Sequence, residues 1–294
     1  MPLFLAALAA VLLGPLVLPA AAAPPENEKL VYEMMFGGLH VADALVSLEE
    51  TDGHYQATIT VRSRGLVSMM SNFAATVDAE GEVDDGVKPA ALPVAPALYR
   101  REWSAGTTAA SLRMTFDPQS HIAETDERIF NPLNGQQLER KDVPWKHYVH
   151  PAKPVPANLR KDVIDPVTAF IAARDVVRRH AGAATLTFPI FDGARRYNIS
   201  AQIDAPRDET VKGLTRRVIA FTAHMKPVAG FDEDLVDDVD RGEGRMLFSA
   251  DARALPLQVM IGNNYGTGVM NLVADCRLDH TACDAFGAEE AKAN

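Results

Sequence analysis

The sequence predicts a mainly β protein: one highly curved antiparallel sheet of about a dozen strands, an open half-barrel or β-spiral, wrapped around one central helix. Three observations predict it. Short runs of period two recur along nearly the whole chain, separated by turns rich in Gly, Asn and Asp. Only one long helical pattern follows the N-terminal segment, at residues 165–181, and it lies between two β-rich halves. One early strand, residues 39–48, is apolar on both faces, which implies cover on both sides.

Taken in order, the first 23 residues carry no charged side chain and hold an apolar run from Leu3 to Leu18, followed by Pro19 and a row of alanines. This pattern reads as a secretory signal peptide, residues 1–22, cleaved near Ala22. The run is interrupted at Gly14-Pro15 and falls short of the roughly 20 residues of a spanning helix. No later segment is long and apolar enough to span a bilayer, so an integral membrane protein is not expected. A single β-rich domain, residues 23–283, follows.

Residues 30–36 and 39–48 read as strands joined by Gly37-Gly38, and residues 54–62 alternate with one wet face. Residues 66–73 break the alternation with Leu66, Val67, Met69 and Met70, where a short helix or tucked loop is expected. Strands at 73–80, 97–103, 111–116 and 121–128 complete the first half. The proline-rich stretch 131–164 has no period and reads as an irregular crossover draped over the surface.

The helix at 165–181 opens with Asp165 as its cap and Pro166 in its first turn. Val167, Phe170, Ile171, Ala173 and Val177 form its apolar stripe, and Arg178, Arg179 and His180 suit its C-terminal end. A hairpin turning at Asp192-Gly193 comes next. Further strands are expected at 216–225, 245–250, 255–262 and 267–274, and a flexible tail at 284–294.

The net charge of −10 lies wholly beyond the leader and argues against nucleic acid or anionic membrane surfaces as partners. Sequence carries no statement of oligomeric state.

The chain also holds an ordered set of motifs: Tyr32-Glu33 with Phe36-Gly37-Gly38-Leu39, the Asp165-Pro166 helix start, Phe188-Pro189-Ile190-Phe191-Asp192-Gly193 with Arg196-Tyr197, and the run from Phe248 through Asp251-Ala252-Arg253 to Pro256. With these, the chain resembles the exported bacterial family catalogued as domain of unknown function 3108, over nearly all of its mature length. The resemblance implies a periplasmic cell-envelope protein with no established activity and no assigned catalytic residues. It also implies a fold similar to the curved sheets of lipoprotein carriers and β-spiral envelope proteins, which by itself establishes no function.

Cys276 and Cys283, the only cysteines, are an even pair in an exported chain and read as a disulfide. In the chain-entropy account, so short a loop contributes about 2.5 kcal/mol. The rival is a metal cluster of Cys276, His280 and Cys283 with Asp279 or Asp284, disfavoured under oxidising conditions. His147 and His150 are bracketed by Pro144 and Pro151, against the helical turn that a shared metal needs. The acidic stretch 232–243 is a calcium candidate by charge but lacks the EF-hand spacing. No metal site or cofactor is therefore expected.

Signatures of nucleophilic, phosphate-binding or zinc-dependent enzymes are absent, and no catalytic residue is nominated. The preferred reading is a non-enzymatic module binding a lipid or other apolar ligand through Leu66, Met69, Met70, Val167, Phe170 and Ile171, methionines being adaptable wall material. A structural or protein-interaction factor with a self-filled core is the alternative, and a hydrolase without a recognisable motif the minor one.

Overall fold

Fourteen strands, each paired antiparallel with its neighbours, form one sheet in this computed structural model, which describes residues 27–83, 92–139, 143, 154–179, 183–232, 236, 242–263 and 266–293. Residues 1–22, His147, His150 and residues 233–235 and 237–241 of the acidic stretch 232–243 lie outside that description. The first meander comprises β1 (Glu28–Phe36), β2 (Leu39–Thr51), β3 (His54–Ser63), β4 (Ala74–Val83), β5 (Val94–Ala105), β6 (Thr108–Phe116) and β7 (Ala123–Phe130). The second comprises β8 (Ala184–Phe191), β9 (Arg196–Ile203), β10 (Arg207–Val211), β11 (Leu214–Ala229), β12 (Glu243–Ser249), β13 (Pro256–Asn263) and β14 (Gly266–Asp275). The sheet order is β7-β6-β5-β4-β3-β2-β1-β14-β13-β12-β11-β9-β8, with β10 pairing to β11.

The local chemistry explains the hairpins and the curvature. Gly37 and Gly38 have φ of 56° and 84°, the left-handed pair that a tight hairpin turn between β1 and β2 requires. Register shifts interrupt β1 against both neighbours, β4 against β5, β11 against β9 and β12 against β13. Each extra residue bends its strand and adds twist, so the sheet rolls up. At the β4 bulge, a Cβ on Gly81 would lie 2.4 Å from the Ala95 carbonyl and 2.5 Å from the Tyr55 hydroxyl, so only glycine fits.

The rolled sheet is nearly closed, and what spans its seam is the end of the crossover. Ala123 N–H donates to Arg160 O at 3.0 Å and Asp162 N–H to His121 O at 2.9 Å, on the β7 side. Ile164 N–H donates to Pro189 O and Phe191 N–H to Ile164 O, both at 2.9 Å, on the β8 side. Val155, Val163 and Ile164 are buried. This part of the crossover is thus a structural strap, correcting the expectation that it merely drapes the surface: its branched apolar residues gain more inside than out.

Helix α1 (Gly65–Ser71) connects β3 to β4, and α2 (Pro166–Arg179) runs inside the sheet. The Asp165 carboxylate accepts from the Val167 and Thr168 amides at 2.9 and 2.8 Å, capping α2 as the sequence predicts. Val167 and Ile171 pack toward the first meander with Leu48, Tyr55, Tyr99 and Met114, whereas Ala169, Ala173 and Val177 pack toward Phe188, Ile203, Phe221 and Phe248 of the second. The helix therefore partitions the interior.

Two further corrections concern local elements. Strand β10 is too polar (Arg207-Asp208-Glu209-Thr210-Val211) to read as a strand, yet it pairs residue by residue with β11. The tail expected to be flexible is helical, α3 (His280–Ala293). Cys276 and Cys283 form the expected disulfide, Cα–Cα 5.8 Å, and Phe286 is buried with Val31 and Ala274 under the Arg62 guanidinium. A covalent tether and a buried ring hold an alanine-rich helix that composition alone leaves marginal. Cys276→Ser is expected to lower the melting temperature by roughly 4 to 8 °C, from about 2 kcal/mol, because sheet pairing does not depend on the tether. Melts with and without reductant check this, and collapse of the fold would refute it.

Candidate functional site: an apolar cavity beside the central helix

Cross-strand register decides which side chains share the inner face. Across the second meander and onto β1 one inner row runs Ile203, Phe221, Met246, Val259, Met270, Met34, six strands in all. The next row toward the strand ends runs Ala201, Ala223, Gly244, Ile261, Gly268, Phe36. Large residues fill the first row, and in the second Ala223 and Gly244 leave room on β11 and β12 beside Ile261. A Cβ built on Gly244 or Gly268 would meet nothing closer than 3.8 or 3.9 Å.

The space left is a cavity of about 510 Å³ between α2 and strands β8, β9, β11, β12 and β13. Its wall is aromatic and aliphatic, with Phe170, Phe188, Phe221, Met225 and Met246 prominent. Phe248, fully buried, backs it, with ring centroids 6.2 Å from Phe170 and 6.3 Å from Phe221. Among the described residues no serine, threonine, asparagine, glutamine, tyrosine or histidine lines it, and the charged ones that do are Arg195, Glu243 and Arg245. Arg245 donates to Glu209 at 2.5 Å, and the Arg195 guanidinium sits 5.7 Å over the Phe231 ring. A second void of about 20 Å³ lies across the helix, walled by Val167, Phe170, Ile171 and residues of β1 to β3. Phe170 is common to both walls.

The six residues singled out from sequence are thus divided. Phe170 lines the cavity, and Val167 and Ile171 line only the small void. Leu66, Met69 and Met70 line neither: they are 68, 83 and 86% exposed on α1, which has no buried residue and packs against β2 and β3. The larger part of the wall, from Phe188 to Ile261, comes from strands recognised as strands but not as a site. The available signal was a small residue interrupting an apolar alternation, as in Gly244-Arg245-Met246.

Buried polar chemistry includes the cap of α2. Asp165 is fully buried, and its second carboxylate oxygen is hydrogen-bonded to the Thr168 hydroxyl, which also meets the Tyr55 hydroxyl at 2.6 Å. Burial pushes the Asp165 carboxyl up to about 6, against these hydrogen bonds, and raises the Tyr55 phenol as well. Burial likewise lifts Glu127, 3.6 Å from Arg101, to about 7. A carboxyl whose folded pKa exceeds its unfolded value binds more protons when folded, so its contribution to stability falls as pH rises between the two values. For Asp165 that window is from about 4 to 6, worth on the order of 3 kcal/mol. The melting temperature is therefore expected to be higher at pH 5 than at pH 7.5, and Asp165→Asn to remove part of that difference, the raised Glu127 carboxyl supplying the rest. Scanning calorimetry at both pH values checks this; an undiminished slope in the variant would refute it.

Among the described residues no group of three or more His, Cys, Asp or Glu is placed to hold a metal ion, and no helix is long and apolar enough to cross a membrane. A family model described as a protein of unknown function (DUF3108) matches residues 31–273. No curated protein matches the chain. Among solved structures, the chain is similar to a β-barrel-like protein of domain of unknown function DUF1849 from Brucella abortus, at 9% identity and a TM-score of 0.44, with 84% of this chain and 96% of that chain covered.

Proposed function

Because the chain belongs to the DUF3108 family, described only as of unknown function, we propose its role from the cavity: it is a non-enzymatic module that holds a lipid or another apolar ligand on the concave face of its sheet. The observation that carries this is the wall, which is aromatic and aliphatic around about 510 Å³, within the size range of small-molecule sites. Such a wall rewards burial of hydrocarbon and offers no hydroxyl or amide side chain to orient a polar substrate. The leader-like residues 1–22 and the disulfide support export to an oxidising compartment, the periplasm.

The test is mass spectrometry of organic extracts from protein purified from the periplasm, beside an unrelated exported protein. A stoichiometric lipid, lost in a folded Phe170→Asp variant, is the expected result. A clean extract, together with no fluorescence gain from an environment-sensitive apolar dye, would overturn the reading.

One observation favours a second reading, a protein-interaction factor of the envelope. Leu66, Met69 and Met70 are exposed on an uncharged helix, and Phe36 and Leu39 are exposed on the β1–β2 hairpin, whose second strand α1 contacts. Loss of a partner on Met69→Asp with cavity binding unchanged would support it.

A further inference from the structure

The shape of the same cavity narrows the class of ligand, an inference that rests on the apolar-ligand reading. A cavity without neutral hydrogen-bonding side chains matches the part of a ligand that has no polar atoms. Its charged residues are not distributed over the wall: Glu243 begins β12, Arg245 follows two residues later, and Arg195 sits in the β8–β9 turn. Of the row of small residues only Ala223 and Gly244 line the cavity, beside Ile261, and the neighbouring row contributes Phe221, Met246 and Val259; Glu243 and Phe248, which meets Phe170, lie toward opposite ends of β12, so the space runs along β11 and β12. A space charged at one strand end and aromatic at the other suits an amphiphile laid along the strands. At about 30 Å³ for each small group, the share a molecule of liquid water occupies, 510 Å³ accommodates on the order of 16 or 17 carbons. Two such chains do not fit.

We propose that the ligand is a single-chain amphiphile of about sixteen carbons, its chain laid along β11 and β12 past Ala223 and Gly244, its polar head at the strand end marked by Glu243 and Arg195, and its length measured by Phe170. Phe170 carries the length limit because its ring stands between the cavity and the 20 Å³ void beyond α2. Removing the ring joins the two spaces. Gly244 offers the opposite manipulation: it lines the cavity, and a side chain there meets only ordinary contacts.

The test uses the full mature chain and saturated fatty acids of eight to twenty carbons, each displacing 1-anilinonaphthalene-8-sulfonate. Affinity is expected to rise about fourfold per added carbon, to level off near sixteen, and to fall beyond. In Phe170→Ala the plateau is expected to move about two to four carbons longer, and in Gly244→Val about two carbons shorter, at ~30 Å³ per carbon. Circular dichroism establishes that each variant is folded, and a failure of one to fold leaves the other as the test. Hexadecanoate and its lysophosphatidylcholine distinguish a free acid from a lysolipid, and binding of either supports the proposal. Equal binding of dipalmitoyl phosphatidylcholine vesicles would overturn the single-chain limit. Dye and fatty acids that bind with no length optimum, or with one that neither variant moves, would overturn the ruler and leave an apolar site standing. No binding of any probe by the parent chain would overturn both.

Discussion

Replacing Arg174 with methionine is expected to lower the unfolding free energy by about 3 kcal/mol and the melting temperature by roughly 6 to 12 °C. Arg174 is only 2% exposed and sits in α2, where methionine can replace its stem but not its five donors. Its Nη1 donates to Glu50 at 3.0 Å, its Nε to the Arg253 carbonyl at 3.0 Å, and its Nη2 lies 3.7 Å from Glu28. Burial already holds the Glu50 carboxyl above its usual range, and Glu28 is buried. Losing the cation leaves both acids less compensated in a poorly solvated place. Arg253 stays on Glu28 and Arg178 on Glu50, which keeps the cost near the lower end for a broken buried pair. Chemical denaturation measures it. A loss under ~1 kcal/mol would mean the network only decorates the end of the sheet.

Truncating Phe248 to alanine is expected to cost about 3 to 5 kcal/mol, the range for a fully enclosed ring. The same change at Phe170 is expected to cost about 1 to 2 kcal/mol, since that ring borders two spaces and has fewer atoms to lose contact with. The two rings touch, so their double variant should be less than additive. Equal single costs would show that Phe170 is ordinary core and that the cavity is smaller in solution.

Much of this architecture was legible in the chain. Alternation or, in β2, a run apolar on both faces marks β1 to β9 and β11 to β14, and the Asp165-Pro166 pair marks the helix start because capping is local chemistry. The cavity was not legible, since Ile199, Ala223, Gly244 and Ile261 sit on four strands and only register aligns them. Leu66, Met69 and Met70 are apolar enough to suggest a wall, but seven residues of helix cannot say which way they face. The Arg174 network joins Glu28, Glu50, Arg253 and Asp275, positions spread over the whole chain, and no pairwise spacing announces it.

The pairing of β1 with β14 places Leu30 opposite Asp275, almost the full length of the chain apart. Each meander can assemble from near neighbours as soon as it is made, but the ladder that joins them must wait for the last strand. Until then β1 presents an open edge, and the carboxylate of Glu28 waits for Arg253, Arg174 and their partners at the end of β14. The protein thus has a natural order of assembly in which the C-terminal strand acts as the clasp. A chain cut short before Gly266 would hold two half-built sheets with sticky borders, the kind of species that quality-control proteases and chaperones are built to find.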